Sequence, residues 1–310
     1  MKKIFFLFVF LVALVFGWSY FFLPSSQTII ISKTMRAPAE RIFSFLANQN
    51  EWNKWWPVPT KSQAPAQVYN ENRYSVGASA VNTVETIIQK KDSQLTSRIL
   101  VVSLTNDSST LEWTVQENTG NNPLIKMQHY FTGQNLKADM TSILVSLKNF
   151  VEKQENIYGM KIEKAKVTDT VLVATRAKFS HYPSTPEIYG MIAKLKGYIK
   201  SQNASETNPP MLNVLQIDSN QYSVMVGIPT NRLLNGKGDI ELKRFVLGNI
   251  IWGEIRGGSY TMEAAIKQLE NYKIDYGLTS PAIPFASLVT DRMKESDTTK
   301  WITRVYYPVF

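Results

Sequence analysis

The sequence predicts an α+β protein with an N-terminal transmembrane helix, an antiparallel sheet domain closed by a long helix, and a second domain made of a duplicated strand-helix-strand-strand unit. Three features predict this fold class: an uncharged apolar run near the N terminus, a series of strand-like segments followed by a helical pattern, and an internal repeat. The predicted domains are residues 1–26 for the anchor and its exit linker, 27–156 for the first soluble domain and 157–310 for the second.

The apolar run at residues 4–23, IFFLFVFLVALVFGWSYFFL, contains no charged residue. A helix of this length crosses the hydrocarbon core of a bilayer. The run exceeds the usual core of a signal peptide and lacks a clear small-residue cleavage site, which favours an uncleaved single-pass anchor over a removed signal. Lys2 and Lys3 favour a cytoplasmic N terminus, and hence an extracytoplasmic body. Basic residues beyond the run weaken that orientation: Lys33, Arg36 and Arg41.

The composition is that of a folded, globular chain. Hydrophobic residues make up 44% and charged residues 19% of the 310 positions, which excludes a disordered or collagen-like protein. The formal charge of +9 is spread along the chain, and no helix-turn-helix, zinc-finger or RNA-binding signature is present. We therefore expect no nucleic-acid partner, and no feature points to a particular protein partner.

The first soluble domain begins with a strand and a short helix. Residues 28–35, TIIISKTM, are rich in β-branched side chains and predict the strand. Pro38 suits the first turn of a helix, and the apolar residues after it give that helix a face to bury. Five more strands are predicted between turn-prone clusters, at 67–76, 79–90, 94–104, 109–117 and 124–132.

A long amphipathic helix is predicted to close this domain at 139–155. Its apolar residues recur at spacings of three and four, which places them on one face of a helix. These side chains can pack against the sheet or line a cavity beneath it. They are Met140, Ile143, Leu144, Leu147, Phe150 and Val151.

The second soluble domain contains the internal repeat. In each half a strand leads to an amphipathic helix and then to two more strands. Glu187 and Glu263, which open the two helices, lie 76 residues apart. Neither half can bury a sheet face alone, so we expect the halves to pair about a pseudo-twofold axis with a groove between them. The strands are 162–178, 211–218 and 221–229 in the first half, and 240–256, 282–290 and 300–307 in the second.

The start of the first soluble domain resembles SRPBCC, or START-like, domains. The matching residues are Ala37-Pro38, the apolar pair Ile42 and Phe43, and a turn with three tryptophans, Trp52, Trp55 and Trp56, followed by Pro57. The resemblance covers residues 27–156 and implies a helix-grip fold, in which a curved sheet wraps around the last helix and often encloses an apolar ligand cavity.

Residues 158–310 resemble the GyrI-like small-molecule-binding domain, also called the AraC-type effector-binding domain. The matching motifs are Gly258-Ser259-Tyr260 at a helix start and the ending WITRVYYPV at 301–309. Relatives commonly place a glutamate after the motif threonine, where it attracts cationic amphiphiles. Arg304 stands there in this chain, and Leu288 lies near a position that is often tyrosine. The resemblance therefore implies the fold and a ligand groove, whereas Arg304 argues against a cationic ligand.

Aromatic residues on elements of the second domain are candidates for lining that groove. Flat rings offer large contact areas, although rings on amphipathic elements also pack as ordinary core. Glu254 could supply a replacement carboxylate or point to solvent. Arg304, if buried, needs a carboxylate within the protein or an anionic ligand. The candidate rings are Tyr189, Tyr222, Trp252, Tyr260, Phe285, Trp301 and Tyr306.

In the first domain, Trp52 and Trp56 are candidate ligand contacts near the expected cavity mouth. Three tryptophans within five residues, with Trp55 between them, can form a ligand gate, an interfacial membrane contact or a packed lid.

The chain offers few groups for catalysis or metal binding. It has two histidines and no cysteine, which are too few ligands for a thiolate or multi-histidine metal site. No nucleophile elbow, Walker A loop, dinucleotide-binding turn or HExxH helix is present, so we expect no cofactor.

We interpret the chain as a membrane-tethered, non-catalytic protein that binds a small apolar or amphipathic ligand, with a sensor or regulatory role. Two alternatives stay open: a GyrI-like hydrolase acting on a small hydrophobic compound, and an interaction scaffold without a ligand.

Overall fold

The computed structural model describes residues 2–58, 66–91, 93–168, 171–245, 247–280 and 282–310. The chain divides into two compact units, Met1–Lys153 and Gln154–Phe310. The first unit contains a six-stranded sheet and the second an eight-stranded sheet, both antiparallel in the described residues. The α+β class is thereby confirmed, while the predicted domain ranges 27–156 and 157–310 stay predictions.

The predicted apolar helix is present as α1, Lys2–Phe22. Within the described part of the chain, this one helix is long and apolar enough to cross a membrane. Most of its described side chains are exposed, as expected of a helix that faces lipid rather than a protein core.

The first unit continues with β1, Ser26–Met35, and α2, Ala39–Ala47, close to the predicted strand and short helix. A single turn of helix follows as α3, Trp52–Trp55. The sheet order is β1-β6-β5-β4-β3-β2, a meander whose last strand pairs with its first. The remaining strands are β2, Gln67–Tyr69; β3, Asn72–Ala80; β4, Thr83–Gln89; β5, Gln94–Thr105; and β6, Ser108–Asn118.

The predicted strand at 67–76 is wrong in one respect, because the structure splits it into β2 and β3. The chain turns between them at Asn70, whose φ of 50° lies in the left-handed region that asparagine tolerates. The two strands then pair with each other, so the segment forms a hairpin instead of one extended strand.

The predicted strand at 124–132 is wrong, because these residues form the first part of helix α4, Pro123–Val151. The Asn122 side chain accepts hydrogen bonds from the backbone N–H groups of Leu124 and Ile125, and Pro123 occupies the first helical turn. The predicted helix at 139–155 is the second part of α4 and ends at Val151. A separate short helix, α5, Gln154–Tyr158, follows in the second unit.

Helix α4 is tied to the end of α1. Ser19 Oγ donates a hydrogen bond to Pro123 O at 2.7 Å. The buried ammonium of Lys126 donates to Tyr20 O at 3.1 Å and to Leu23 O at 2.9 Å. The last carbonyls of a helix lack intrahelical partners, so Lys126 caps the C-terminal end of α1 with a cation, the charge that the helix dipole favours there.

The second unit contains two helices and eight strands, in the sheet order β11-β8-β10-β9-β13-β14-β12-β7. The helices are α6, Thr185–Ser201, and α7, Ser259–Asp275. The strands are β7, Glu163–Lys166; β8, Val171–Phe179; β9, Met211–Asp218; β10, Gln221–Pro229; β11, Glu241–Arg244; β12, Asn249–Arg256; β13, Phe285–Leu288; and β14, Ile302–Val309.

The predicted strands 162–178 and 240–256 are wrong as single strands, because each is divided in two. Strand β7 pairs with β12, and β11 pairs with β8, so each short strand crosses to the long strand of the other predicted half. This exchange occurs through long-range pairing and leaves little trace in the local sequence. The central order β8-β10-β9-β13-β14-β12 places predicted counterparts symmetrically, although the duplication itself stays a prediction.

The two faces of this sheet have different environments. One face packs against α6 and α7 and forms a core that includes Val173, Leu195, Ile251, Leu269 and Val305. Successive side chains of a strand point to opposite faces. The alternate residues of β12, β13 and β14 therefore lie on the other face, which carries no helix from among the described elements.

Candidate functional site

Two adjoining cavities lie on the helix-free face of the second sheet. The first has a volume of about 160 Å³ and is almost wholly apolar, and the second has about 320 Å³. They share five lining residues, so we treat them as one groove. The shared residues are Val167, Met211, Phe245, Ile250 and Phe285.

A row of aromatic rings crosses the groove. Trp252 on β12 and Phe285 on β13 are both register partners of Tyr306 on β14. The Tyr306 ring stacks on Phe285 with centroids 5.0 Å apart and an interplanar angle of 14°, and on Trp252 at 6.2 Å and 24°. Phe245 continues the row beyond Phe285 at 6.0 Å. Stacking fixes the rings of Trp252, Tyr306 and Phe285 while leaving each only half-buried, so they form a preorganised apolar wall.

An ion pair stands beside this row. Arg304 Nε donates to Glu254 Oε2 at 3.1 Å, and the two residues are register partners on β14 and β12. The guanidinium carbon also lies 5.5 Å from the Trp252 ring centroid, within cation–π range. The hydrogen bond to Glu254 raises the pKa of Arg304, so its guanidinium stays charged. Glu254 is thus engaged by a cation within the protein.

The structure brings together four of the predicted site residues and places a fifth beside them. Trp252, Phe285, Arg304 and Tyr306 line the groove, and Glu254 pairs with Arg304. They meet because adjacent strands place them in register on one sheet face.

The other predicted residues of the second unit lie elsewhere. Tyr260 is 80% exposed in the first turn of α7. Trp301 is buried, donates its indole N–H to Glu295 O, and lies over the Arg292 guanidinium at 4.6 Å. The Trp301 ring and its indole N–H therefore contact groups of the protein itself.

Tyr189 and Tyr222 are also absent from the groove lining. The Tyr189 hydroxyl accepts a hydrogen bond from Arg292 N at 2.7 Å, and its ring borders a separate cavity of about 500 Å³. The Tyr222 ring meets Tyr182 edge to face at 5.8 Å. Ligand contact at these residues, as at Tyr260 and Trp301, stays a prediction without support from the groove.

The tryptophans of the first unit are packed. Trp52, Trp55 and Trp56 are all buried, and each indole N–H donates to a backbone carbonyl. The Trp52 and Trp56 rings stack at 5.1 Å with an interplanar angle of 9°. These contacts support the packed lid over a gate or a membrane contact, and ligand binding by Trp52 and Trp56 stays a prediction.

The first unit contains a polar cavity of about 600 Å³, which differs from the apolar one that the helix-grip resemblance implied. Lys90 Nζ lies 3.0 Å from Glu117 Oε1 in its lining, and His129 Nδ1 lies 3.0 Å from the same oxygen. Met140 and Leu147 of α4 are fully buried in the core. These two side chains, which were candidates for lining an apolar cavity, are therefore packed between α4 and the sheet.

Sequence reasoning missed several groove residues, among them Met211, Met225, Phe245 and Ile250. The run VMVGI at 224–228 was a usable signal, because an uninterrupted apolar run in an antiparallel strand indicates that both faces are shielded from water. Phe245 lies between β11 and β12 and carried no comparable signal. Among the described residues, no group of three or more His, Cys, Asp or Glu side chains could hold a metal ion.

No protein-family model matches the chain, and no curated protein matches it. Three solved structures show a remote similarity. The EcmrR–DNA complex has 16% sequence identity and a TM-score of 0.44 over 60% of this chain and 71% of that chain. A hydrolase from Listeria innocua has 13% identity and a TM-score of 0.38 over 48% and 92%. SAV2435 bound to tetraphenylphosphonium has 13% identity and a TM-score of 0.33 over 49% and 94%.

At these identities and TM-scores the matches establish neither a family nor a function. The DNA, the hydrolase activity and the tetraphenylphosphonium belong to those proteins. A function for this chain therefore has to be argued from the geometry of its own residues. The expected absence of a nucleic-acid partner stays a prediction.

Proposed function

We propose that the groove of the second unit binds a small apolar or amphipathic molecule that contains a flat ring. The row formed by Trp252, Tyr306 and Phe285 carries this proposal, because it presents half-buried rings beside an apolar cavity of about 160 Å³. A cavity of about this size can hold a benzene ring. Covering the rings with an apolar ligand removes their remaining surface from water, which is favourable.

The same geometry favours binding over hydrolysis. A hydrolase needs a general base that can reach its substrate. The carboxylates beside the ring row are engaged instead: Glu254 accepts a hydrogen bond from Arg304, and Glu163, the register partner of Trp252, lies 2.8 Å from Lys161 Nζ. A GyrI-like sensor domain is the function class that this groove supports best, and the scaffold alternative predicts a groove that no small molecule fills.

Binding is testable with the full-length chain in nanodiscs of neutral lipid. A panel of neutral two-ring compounds, including 2-naphthamide, is added while thermal unfolding and native mass are recorded. A ligand at 100 times its Kd stabilises the folded state by about 2.7 kcal/mol, which gives a readily measured rise in Tm. The absence of both a Tm shift and an adduct across the panel would overturn the proposal.

The proposed function includes retention of α1 as a single-pass anchor. The contacts of Ser19 with Pro123 and of Lys126 with Tyr20 and Leu23 support this, because they build the end of α1 into the first unit. Removal of α1 as a signal peptide would take away both acceptors of Lys126, so these contacts exist only in the uncleaved chain. The orientation stays as Lys2 and Lys3 predict it, with the body on the extracytoplasmic side.

Replacing Lys126 with methionine should therefore loosen the junction between α1 and α4. The variant loses two charge-assisted hydrogen bonds and leaves two helix-end carbonyls unpaired, which should destabilise the junction by about 1–3 kcal/mol. Limited proteolysis between residues 20 and 26 reports the loosening, and the exposed Lys137 on α4 provides the control variant, Lys137→Met. Equal cleavage of the two variants would contradict the capping role.

A further inference from the structure

We propose that the first turns of helix α4 lie in the headgroup layer of the bilayer that α1 crosses. The surface that meets the lipid consists of four exposed side chains, which we call the α4 patch: Leu124, Ile125, Tyr130 and Phe131. This inference rests on one part of the proposed function, the retention of α1 as an anchor. It does not depend on the ring ligand of the second unit.

The α4 patch is apolar and faces away from the core of the first unit. Leu124 is 59% and Phe131 63% exposed, and residues seven apart lie on the same side of a helix. Between Glu117 and Lys137, the one residue of the Lys, Arg, Asp or Glu type is Lys126, whose side chain is buried. An exposed apolar surface without such charges is typical of contact with a partner or a membrane.

Contacts with α1 place the start of α4 at the edge of the hydrocarbon core. Ser19 Oγ donates to Pro123 O at 2.7 Å, so the first turn of α4 lies beside the last turn of α1. Trp18 and Tyr20 at this end of α1 are exposed, and both residue types concentrate at the boundary between membrane and water. Leu124, which follows Pro123, is therefore at the level of that boundary. The bilayer is the partner that this position favours.

Helix α4 then runs away from the bilayer. Its Gly133 lies against Gln27 of β1, because a Cβ atom on Gly133 would come within 2.6 Å of Gln27 Oε1. Gln27 lies beyond the end of α1, whereas Pro123 lies beside it. Phe131 follows Leu124 by seven residues, about 10 Å along the helix axis, so it should lie nearer to water than Leu124 does.

The segment between α1 and β1 is held to the same part of the first unit. Thr119 Oγ1 donates to Pro24 O at 2.9 Å, and the backbone N–H groups of Thr119 and Gly120 donate to Ser25 O. These bonds oppose free movement of the first unit about its anchor. The α4 patch therefore keeps a constant position relative to the end of α1.

Single cysteines test this placement, because the chain has none of its own. Each is labelled with a small fluorophore in the full-length chain, which is placed in nanodiscs of phosphatidylcholine. A nitroxide quencher is attached to the lipid either on the headgroup or near the end of an acyl chain. The labelled variants are Leu14→Cys in the middle of α1, Leu124→Cys and Phe131→Cys in the α4 patch, and Leu104→Cys as the control.

Leu104 is the matched control because it is an exposed leucine at the opposite end of the same sheet. Strand β1 runs from Ser26, next to α1, to Met35, about 30 Å away at the usual rise per residue. Met35 pairs with Ser109, and Leu104 lies in the β5–β6 hairpin at that distant end. We expect the headgroup nitroxide to quench Leu124→Cys strongly, Phe131→Cys less and Leu104→Cys not at all. The acyl-chain nitroxide should quench Leu14→Cys.

The possible failures are distinguishable. If the acyl-chain nitroxide leaves Leu14→Cys unquenched, α1 does not cross the bilayer, and both the anchor and this inference fall. If Leu14→Cys is quenched but Leu124→Cys is quenched no more than Leu104→Cys, the anchor stands and the inference is overturned. Protection of Leu124→Cys from aqueous iodide without quenching by either lipid would also overturn it, because a second copy of the chain would then cover the α4 patch. Far-ultraviolet circular dichroism checks folding, and Tyr130→Cys replaces a patch variant that misfolds.

Discussion

Tyr306→Ala is expected to weaken the binding of a ring ligand by about tenfold or more. Tyr306 is the central member of the row and stacks on both Phe285 and Trp252. Its removal deletes the middle of the apolar wall and frees the two flanking rings to move. Stacking contributes about 0.5–1.5 kcal/mol per pair beyond the area buried, so the loss of a preorganised ring surface reaches a tenfold effect.

Two matched variants separate ligand contact from a general effect on folding. Tyr306→Phe keeps the ring and should bind nearly as the parent chain does. Tyr260→Ala removes another ring of the second unit, one that is 80% exposed outside the groove, and should leave affinity unchanged. Titration with 2-naphthamide measures the affinities, and far-ultraviolet circular dichroism checks that each variant is folded. Parent-like binding by Tyr306→Ala would count against the row, as would an equal loss in Tyr260→Ala.

Among these variants, Trp52→Ala should cause the largest decrease in the free energy of unfolding. The decrease should affect the first unit only. Trp52 is fully buried, donates its indole N–H to Leu46 O at 2.8 Å and stacks on Trp56. Truncating a buried tryptophan to alanine typically costs about 3–5 kcal/mol, because it removes apolar contacts and leaves a cavity. Here it also leaves the Leu46 carbonyl without the indole donor.

The same variant tests whether Trp52 has a ligand role. If it is a packing residue, Trp52→Ala should lower the unfolding midpoint of the first unit, and Trp52→Phe should lower it less. Ring-ligand affinity should be the same in all three proteins. Chemical denaturation followed by fluorescence gives the stability, and the 2-naphthamide titration gives the affinity. A stability loss under about 1 kcal/mol, together with altered binding, would favour the ligand-gate interpretation instead.

Local signals placed much of the fold correctly. Strands β9, Met211–Asp218, and β10, Gln221–Pro229, have the predicted limits, because the intervening Ser219-Asn220 is a turn signal. The sequence prediction begins the closing helix at 139 instead of Pro123, because Asn122-Pro123 ends a turn-prone cluster (119–123) and the residues after it were assigned to a strand. The same two residues are a helix cap and a first-turn proline. The prediction failed because a local signal that starts a helix was assigned to a turn.

The division of 162–178 and 240–256 could not be predicted in this way. It depends on β7 pairing with β12 and on β11 pairing with β8. The sequence of either segment alone does not determine such long-range strand pairing. The exchange also positions the groove, because Val167 and Phe245, which follow β7 and β11, line both of its cavities.

Strand alternation, more than membership of a motif, determined which predicted site residues meet. Trp252, Phe285 and Tyr306 lie in register on one sheet face. Tyr260 and Trp301 belong to the motifs that suggested a GyrI-like domain, yet one faces solvent and the other contacts Arg292. A short motif indicates an element of the fold without fixing the direction of each side chain.

The proposed function depends on a ring compound occupying the groove of the second unit. A crystal structure of the full-length chain with 6-bromo-2-naphthamide is the decisive experiment, because the anomalous signal of bromine locates the ligand independently of the protein atoms. We expect a single bromine peak within van der Waals contact of the groove lining near Phe285 and Tyr306. A peak beside Trp52 and Trp56, or density confined to the polar cavity around Glu117, would show that the ligand binds elsewhere and that the groove is not the site.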